Sequence, residues 1–165
     1  MNNWLYAAGL GLSLTISATS QASDKIAVVN VSRIFQQSPQ RAVVSKQLQN
    51  EFKGRATELQ SMEHNLQTKI RHLQQDSAVM KVSERNTLEK SVIAQREIFA
   101  HKAEAFEQDN RRRQTEERNK ILHYIQGVVK TVASKEGFDL VIDINVVAYA
   151  SNTKDITADV LKEVK

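Results

Sequence analysis

Four histidines, His64, His72, His101 and His123, are the side chains here whose ordinary pKa lies nearest neutrality. None has a second ligand at metal-binding spacing beyond its helical neighbours, so they read as solvated helix residues. The chain has no cysteine, which removes thiol nucleophiles, thiolate metal sites and disulfides together. It carries no Gly-rich phosphate loop, no nucleophile elbow and no HExxH. Carboxylates are plentiful, but a catalytic pair needs a pocket that perturbs it, and these lie in stretches that read as exposed helix. The pattern points away from an enzyme and supplies no cofactor site.

The chemistry that remains is cationic. Arg111, Arg112 and Arg113, with Lys102, Arg118 and Lys120 nearby, form the densest basic cluster. Residues 41–135 hold 18 basic and 12 acidic side chains, whereas the rest of the chain holds 5 and 7, so a basic middle is flanked by slightly acidic ends. Such a field steers acidic polypeptides or lipid phosphates over long range, and salt weakens it. The bland alternative is a solvated helix face. Nucleic acid is not expected as a partner, because no stacking aromatics interleave the arginines.

What positions this cluster is the stretch 39–135. It carries apolar residues at helical spacing almost end to end and contains only Gly54 and Gly127. Ser38 reads as an N-cap and Pro39 as the first helical position, where its missing N–H is no loss. A seam of Val44, Leu48, Phe52, Ala56, Leu59, Met62, Leu66, Ile70 and Leu73 follows, with the coiled-coil spacing of three and four. Glu51 and Arg55 form an i,i+4 pair in the favourable order. Between residues 74 and 83 the register blurs and Ala78, Val79, Met80 and Val82 crowd together, which predicts the tip of a helical hairpin. The second helix shows Leu88, Val92, Phe99, Ala103 and Phe106, then Ile121, Ile125, Val128 and Val132, with Gly137 as its C-terminal cap.

Between those two apolar sets, residues 107–120 (EQDNRRRQTEERNK) include no apolar side chain. A helix that is polar all round runs through water or lines a wet cavity, and the pairs Glu107/Arg111, Asp109/Arg113 and Glu116/Lys120 at i,i+4 would hold it together.

The ends supply a small body, residues 23–37 and 136–165, from which the hairpin 38–135 extends. KIAVVNV (25–31) reads as a strand. FDLVIDI (138–144) alternates with period two and reads as a half-buried strand with Phe138, Leu140, Ile142 and Ile144 on one face and Asp139, Val141 and Asp143 on the other. VVAYA (146–150) reads as a third strand, hairpin-paired to the second, and residues 155–163 as a short helix capped by Asp155 or Thr157. So few strands are weakly stable alone and leave edges that invite pairing with other copies. An α+β fold with a shared β core follows, in which an oligomer completes the body. At the start, the apolar run 5–16 followed by Ser20-Gln21-Ala22 reads as a secretory signal peptide, residues 1–22, although no Lys or Arg precedes Lys25. The run is too short to span a bilayer, which takes ~20 residues.

The order of signal peptide, strand, long helical hairpin, strand pair and short helix resembles the Skp (OmpH) family of periplasmic chaperones over essentially the whole length. KIAVVNVSRIFQQSP, NEFKGRATELQ, KAEAFEQDNRRR and AYASNTKDITADVLKEVK carry the likeness. The resemblance implies a homotrimer whose strands form one β-barrel, with Ile26, Val28, Leu140, Ile142 and Val147 in the shared body, and whose three hairpins surround a cavity. It implies an ATP-independent, cofactor-free holdase that keeps unfolded outer-membrane β-barrel proteins from aggregating in the periplasm. It also implies lipopolysaccharide or anionic-membrane contact through Lys102, Arg111, Arg112 and Arg113. Within such an arm, the exposed apolar residues Met62, Leu66, Ile70, Leu73, Val79, Met80 and Val82 would touch clients. Most of the seam is expected to pack helix on helix, leaving Val79, Met80 and Val82 as the better client contacts. A coiled-coil protein that spaces envelope components is the alternative from another class.

Overall fold

The computed structural model describes residues 25–165; the signal-peptide reading lies outside them. Two long helices form the hairpin. β1 (Ile26–Val29) leads into a short helix, α1 (Val31–Gln37), then α2 (Gln40–Asp76), α3 (Val82–Glu136), β2 (Leu140–Asp143), a 3-10 turn (Ile144–Val146), β3 (Lys154–Asp155) and α4 (Thr157–Glu163). At 1.5 Å per residue, α2 and α3 are about 55 and 80 Å long. They turn over through residues 77–81, inside the stretch where the register was expected to break. No described helix is long and apolar enough to cross a membrane.

Helix α3 ends as its sequence predicts. Gly137 adopts a left-handed conformation (φ 73°), and the amides of Gly137 and Phe138 donate to the carbonyls of Ser134 and Ala133, closing a Schellman cap. The start of the hairpin differs. Ser38 terminates α1 instead of capping α2, and its hydroxyl is buried without a partner. Asn30 is the side chain that caps here, its Oδ1 accepting from the Arg33 amide at 2.8 Å, which is why the chain turns helical before Pro39.

The sheet is three parallel strands in the order β2-β1-β3. The expected hairpin between the second strand and residues 146–150 does not form. Asp143 caps the 3-10 turn by accepting from the Asn145 amide at 3.1 Å. The chain leaves the sheet there and returns at Lys154–Asp155 on the far side of β1. The second strand is covered in part on both faces, with Phe138 packed on the core and Ile142 half-buried. Register pairs Ala27 with Val141, and Val141 packs on the core, whereas Leu140 and Ile144 are exposed. Alternation fixes two faces but not which one looks inward.

The core sits where α3 crosses the sheet. Ala27, Val29, Ile34, Ile121, Ile125, Val132, Ile156, Val160 and Val164 form one buried cluster. The Ile121, Ile125 and Val132 stripe is therefore the foot of the arm, clamped between sheet and α4. Thr157 ties the ends of the chain together, its Oγ1 accepting from the Asn30 amide at 2.8 Å.

Candidate functional site: the arm and its two seams

The arm has a distal half joined by apolar contacts and a proximal half joined by charge. Distally, Leu66 is buried and Met62, Ile70 and Leu73 are half-buried along the seam. Lys69 lies across from Ser91, donating to its hydroxyl at 2.9 Å. Four of the seven expected client-contact residues are thus engaged in helix packing. The tip is different. Val79 and Val82 are 84 % and 63 % exposed, with Met80 half-buried beside them. Ile93 (59 %) and Ile98 are also exposed on α3. The sequence reading passed over these two, although their position off the Leu88, Val92, Phe99 stripe was the available signal.

Proximally, the apolar seam shrinks to an edge-on contact between the Phe52 and Phe106 rings, centroids 5.6 Å apart. Charge takes over from there. Arg55 donates to Asp109 at 2.7 Å, and Lys102 is paired with Glu58. Arg113 makes a fork onto both oxygens of Glu51, at 3.0 and 3.2 Å, and reaches Glu116 at 2.8 Å and Glu117 at 3.0 Å. Its side chain is only 18 % exposed and that of Glu117 only 8 %.

Most of the ion pairs expected within single helices are exchanged for others, some across the hairpin and some one step along α3. Glu51 and Arg55 do not pair with each other but with Arg113 and Asp109 on α3. Asp109 takes Arg112 in place of Arg113, and Lys120 takes Glu117 in place of Glu116. Glu107 with Arg111 forms as expected. Residues 107–120 are correspondingly not a wall facing water all round. Their inner face is a polar seam, possible because each buried charge meets an opposite one.

The electrostatics follow from these contacts. Lys120, then Arg113, hold Glu117 below the usual carboxylate range against the opposing effect of desolvation. Arg113 and Arg112 do the same for Glu116, and Arg55 and Arg112 for Asp109. Arg113 is pushed up, chiefly by Glu51. Of the four cations expected to contact lipopolysaccharide, Arg113 is enclosed, Arg112 is paired with Asp109 and Glu116, and Lys102 with Glu58. Arg111 is the outlying one, 73 % exposed with a single partner, Glu107.

In the body, β1 and β2 turn an apolar face outward. Ile26 and its register partner Leu140 are both exposed, as are Ile144, Val146 and Tyr149. Ile142 and Val147 are half-buried, and Val28 is buried within the single chain. Among the described residues no cluster of three or more His, Asp or Glu side chains could hold a metal ion.

A small sheet that leaves apolar surface uncovered, carrying a long two-helix arm with an apolar tip, defines an arm-bearing binding protein. The chain belongs to the family described as outer membrane protein (OmpH-like), whose model matches residues 25–164. Over its full length it is 69 % identical to "Chaperone protein Skp" of Pectobacterium atrosepticum and 66 % to that of Yersinia enterocolitica, covering 100 % of each. The Escherichia coli K12 protein of the same name is 57 % identical over 166 residues, again end to end. The fold matches the crystal structure of an OmpH-like protein from Caulobacter crescentus with a TM-score of 0.72, over 97 % of this chain and 90 % of the other, at 14 % identity.

Proposed function

We propose that this protein is a periplasmic chaperone of outer-membrane proteins, a holdase that keeps its clients unfolded and soluble without nucleotide. The observation that carries this reading is the end-to-end identity of 69 % to a chaperone, with no part of either chain left over. The arm supports it physically. A long hairpin with Val79 and Val82 at its end offers small apolar contacts that bind weakly and release readily, about 25 cal/mol per Å2 buried. The apolar run 5–16 and the Ser20-Gln21-Ala22 site support export, and the periplasm is the compartment an exported chaperone of this kind occupies.

The outward apolar face of Ile26, Leu140, Ile144, Val146 and Tyr149 supports a homotrimer in which the sheets of three copies cover one another. Three arms around one axis would enclose a client from several sides, which a single arm does not. Native mass spectrometry tests this: a mass of three mature chains is expected, and a monomer at micromolar concentration would overturn it. The chaperone reading itself is tested by diluting a urea-unfolded outer-membrane barrel protein into buffer. Stoichiometric protein should suppress light scattering, and undiminished scattering would end the reading.

Lipopolysaccharide contact through Lys102 and Arg111 to Arg113 has less support, since each of these cations already has a carboxylate partner.

A further inference from the structure

Beside the polar seam, a cleft of roughly 450 Å3 opens between α1, the first turns of α2 and the middle of α3. That is within the ~300–1,000 Å3 of typical ligand sites. Its floor is apolar, with Val44 and Leu48 half-buried and Phe52 and Ile121 buried. Phe35 of α1 forms one side, and two guanidinium groups lie over its ring, Arg41 at 5.3 Å and Arg118 at 5.9 Å from the centroid.

These two arginines differ from those of the neighbouring seam. Arg55, Arg112 and Arg113 all meet carboxylates, whereas among the described residues no carboxylate lies within 4 Å of Arg41 or Arg118. Arg41 reaches only the Gln36 carbonyl, at 3.2 Å. Beside a seam whose arginines are all paired, two guanidinium groups without a carboxylate partner lie on one aromatic ring at the mouth of an apolar cleft. The amide side chains of Gln49 and Gln114 also line it. An acyl chain has no use for amides, but an extended polypeptide can exchange hydrogen bonds with them. Along α2 the lined stretch from Arg41 to Phe52 spans about 16 Å, the length of about five extended residues.

We propose that this cleft holds a short extended segment of a client in which a large apolar side chain neighbours a carboxylate. The apolar side chain takes the Val44, Leu48 and Phe52 floor, and Arg41 and Arg118 take the acid. The inference rests on the chaperone reading and assigns the arm a second contact surface, at its root, distinct from the Val79 and Val82 tip.

Fluorescence anisotropy with the full mature chain and a labelled heptapeptide of alternating Phe and Asp tests it. Wild type should bind this peptide at least tenfold more tightly than one with Lys in place of Asp. Arg41→Gln with Arg118→Gln should weaken binding at least tenfold. Leu48→Trp, which fills the cleft and leaves both cations in place, should do the same, so a folding defect in one variant does not decide the matter. Suppression of client aggregation should persist in both, because the tip is untouched. Unchanged peptide affinity in both variants overturns the proposal, as does equal affinity for the lysine peptide. Binding of a fluorescent decanoate analogue with no binding of the peptide would overturn it in favour of a lipid ligand. A lower native mass for the double variant would overturn it in favour of a second copy seated in the cleft. If wild type binds the peptide yet fails to suppress aggregation, the chaperone reading falls and the cleft stands as a peptide site.

Discussion

The distal and proximal halves of the same hairpin solve one problem, holding α2 against α3, by opposite means. Distally, Leu66 and its neighbours exclude water and need no partner of defined chemistry. Proximally, Glu51 with Arg113 and Arg55 with Asp109 hold the helices by directional bonds between named partners. Apolar packing tolerates sliding and repacking, whereas a fork of Arg113 onto both oxygens of Glu51 fits one register only. The polar seam therefore sets the alignment of the arm just above the core, and the apolar seam carries that alignment out to the tip. The proximal seam also depends on charged carboxylates, whereas the distal seam is apolar.

The sharpest test of the contrast is truncation of the apolar members. Phe52→Ala should cost about 3–5 kcal/mol and Leu66→Ala about 2–5 kcal/mol, read from urea unfolding of the assembled protein. If Phe52→Ala costs no more than a surface change, the ion pairs hold the proximal arm alone.

Next is Arg113→Ala, which strands Glu117 inside the seam with only Lys120 beside it. Its loss of Tm should be several times that of Arg111→Ala, whose guanidinium is in water. Equal losses would show that the enclosed cation contributes nothing beyond an exposed one.

Acid should separate the halves without mutation. Glu116, Glu117 and Asp109 have folded pKa values depressed below 4.5, 4.5 and 3.8. Their stabilisation is therefore complete above the ordinary carboxylate range and is lost as pH falls below it through the depressed values. Hydrogen exchange should quicken in residues 107–120 between pH 5 and the acid end while residues 62–73 stay comparatively protected, after correction for intrinsic rates. Uniform change along the arm would remove the distinction.

The smallest effect on stability belongs to the tip. Val79→Ser with Val82→Ser should leave unfolding within about 0.5 kcal/mol of wild type while weakening suppression of client aggregation. Full activity would shift client contact away from the tip, toward Ile93, Ile98 and the root of the arm.

The long hairpin, its turn near residue 80, the Gly137 cap and the family were legible in the residues. Helical periodicity and αL glycine are local signals, and four quoted stretches carried the resemblance. The early helix before Pro39 was missed because Ser38 and Asn30 are equally good caps by type, and only the hydrogen bond from Arg33 distinguishes them. The third strand was misplaced because Val146 to Ala150 has β-forming residues and Lys154–Asp155 has none. Yet the latter pair on β1, carried there by the buried Ile156 that follows.

What the sequence determined by itself was the existence and extent of the elements, since propensity, period and caps act over a few residues. Partnership was left to the tertiary structure. Glu51 could reach Arg55 four residues on or Arg113 sixty-two residues away, and local rules favour the former. Once α3 lies against α2, burial decides. An enclosed Arg113 must be neutralised where it stands, whereas an exposed Arg55 is free to turn toward Asp109, and that is why a stretch with no apolar residue became a seam.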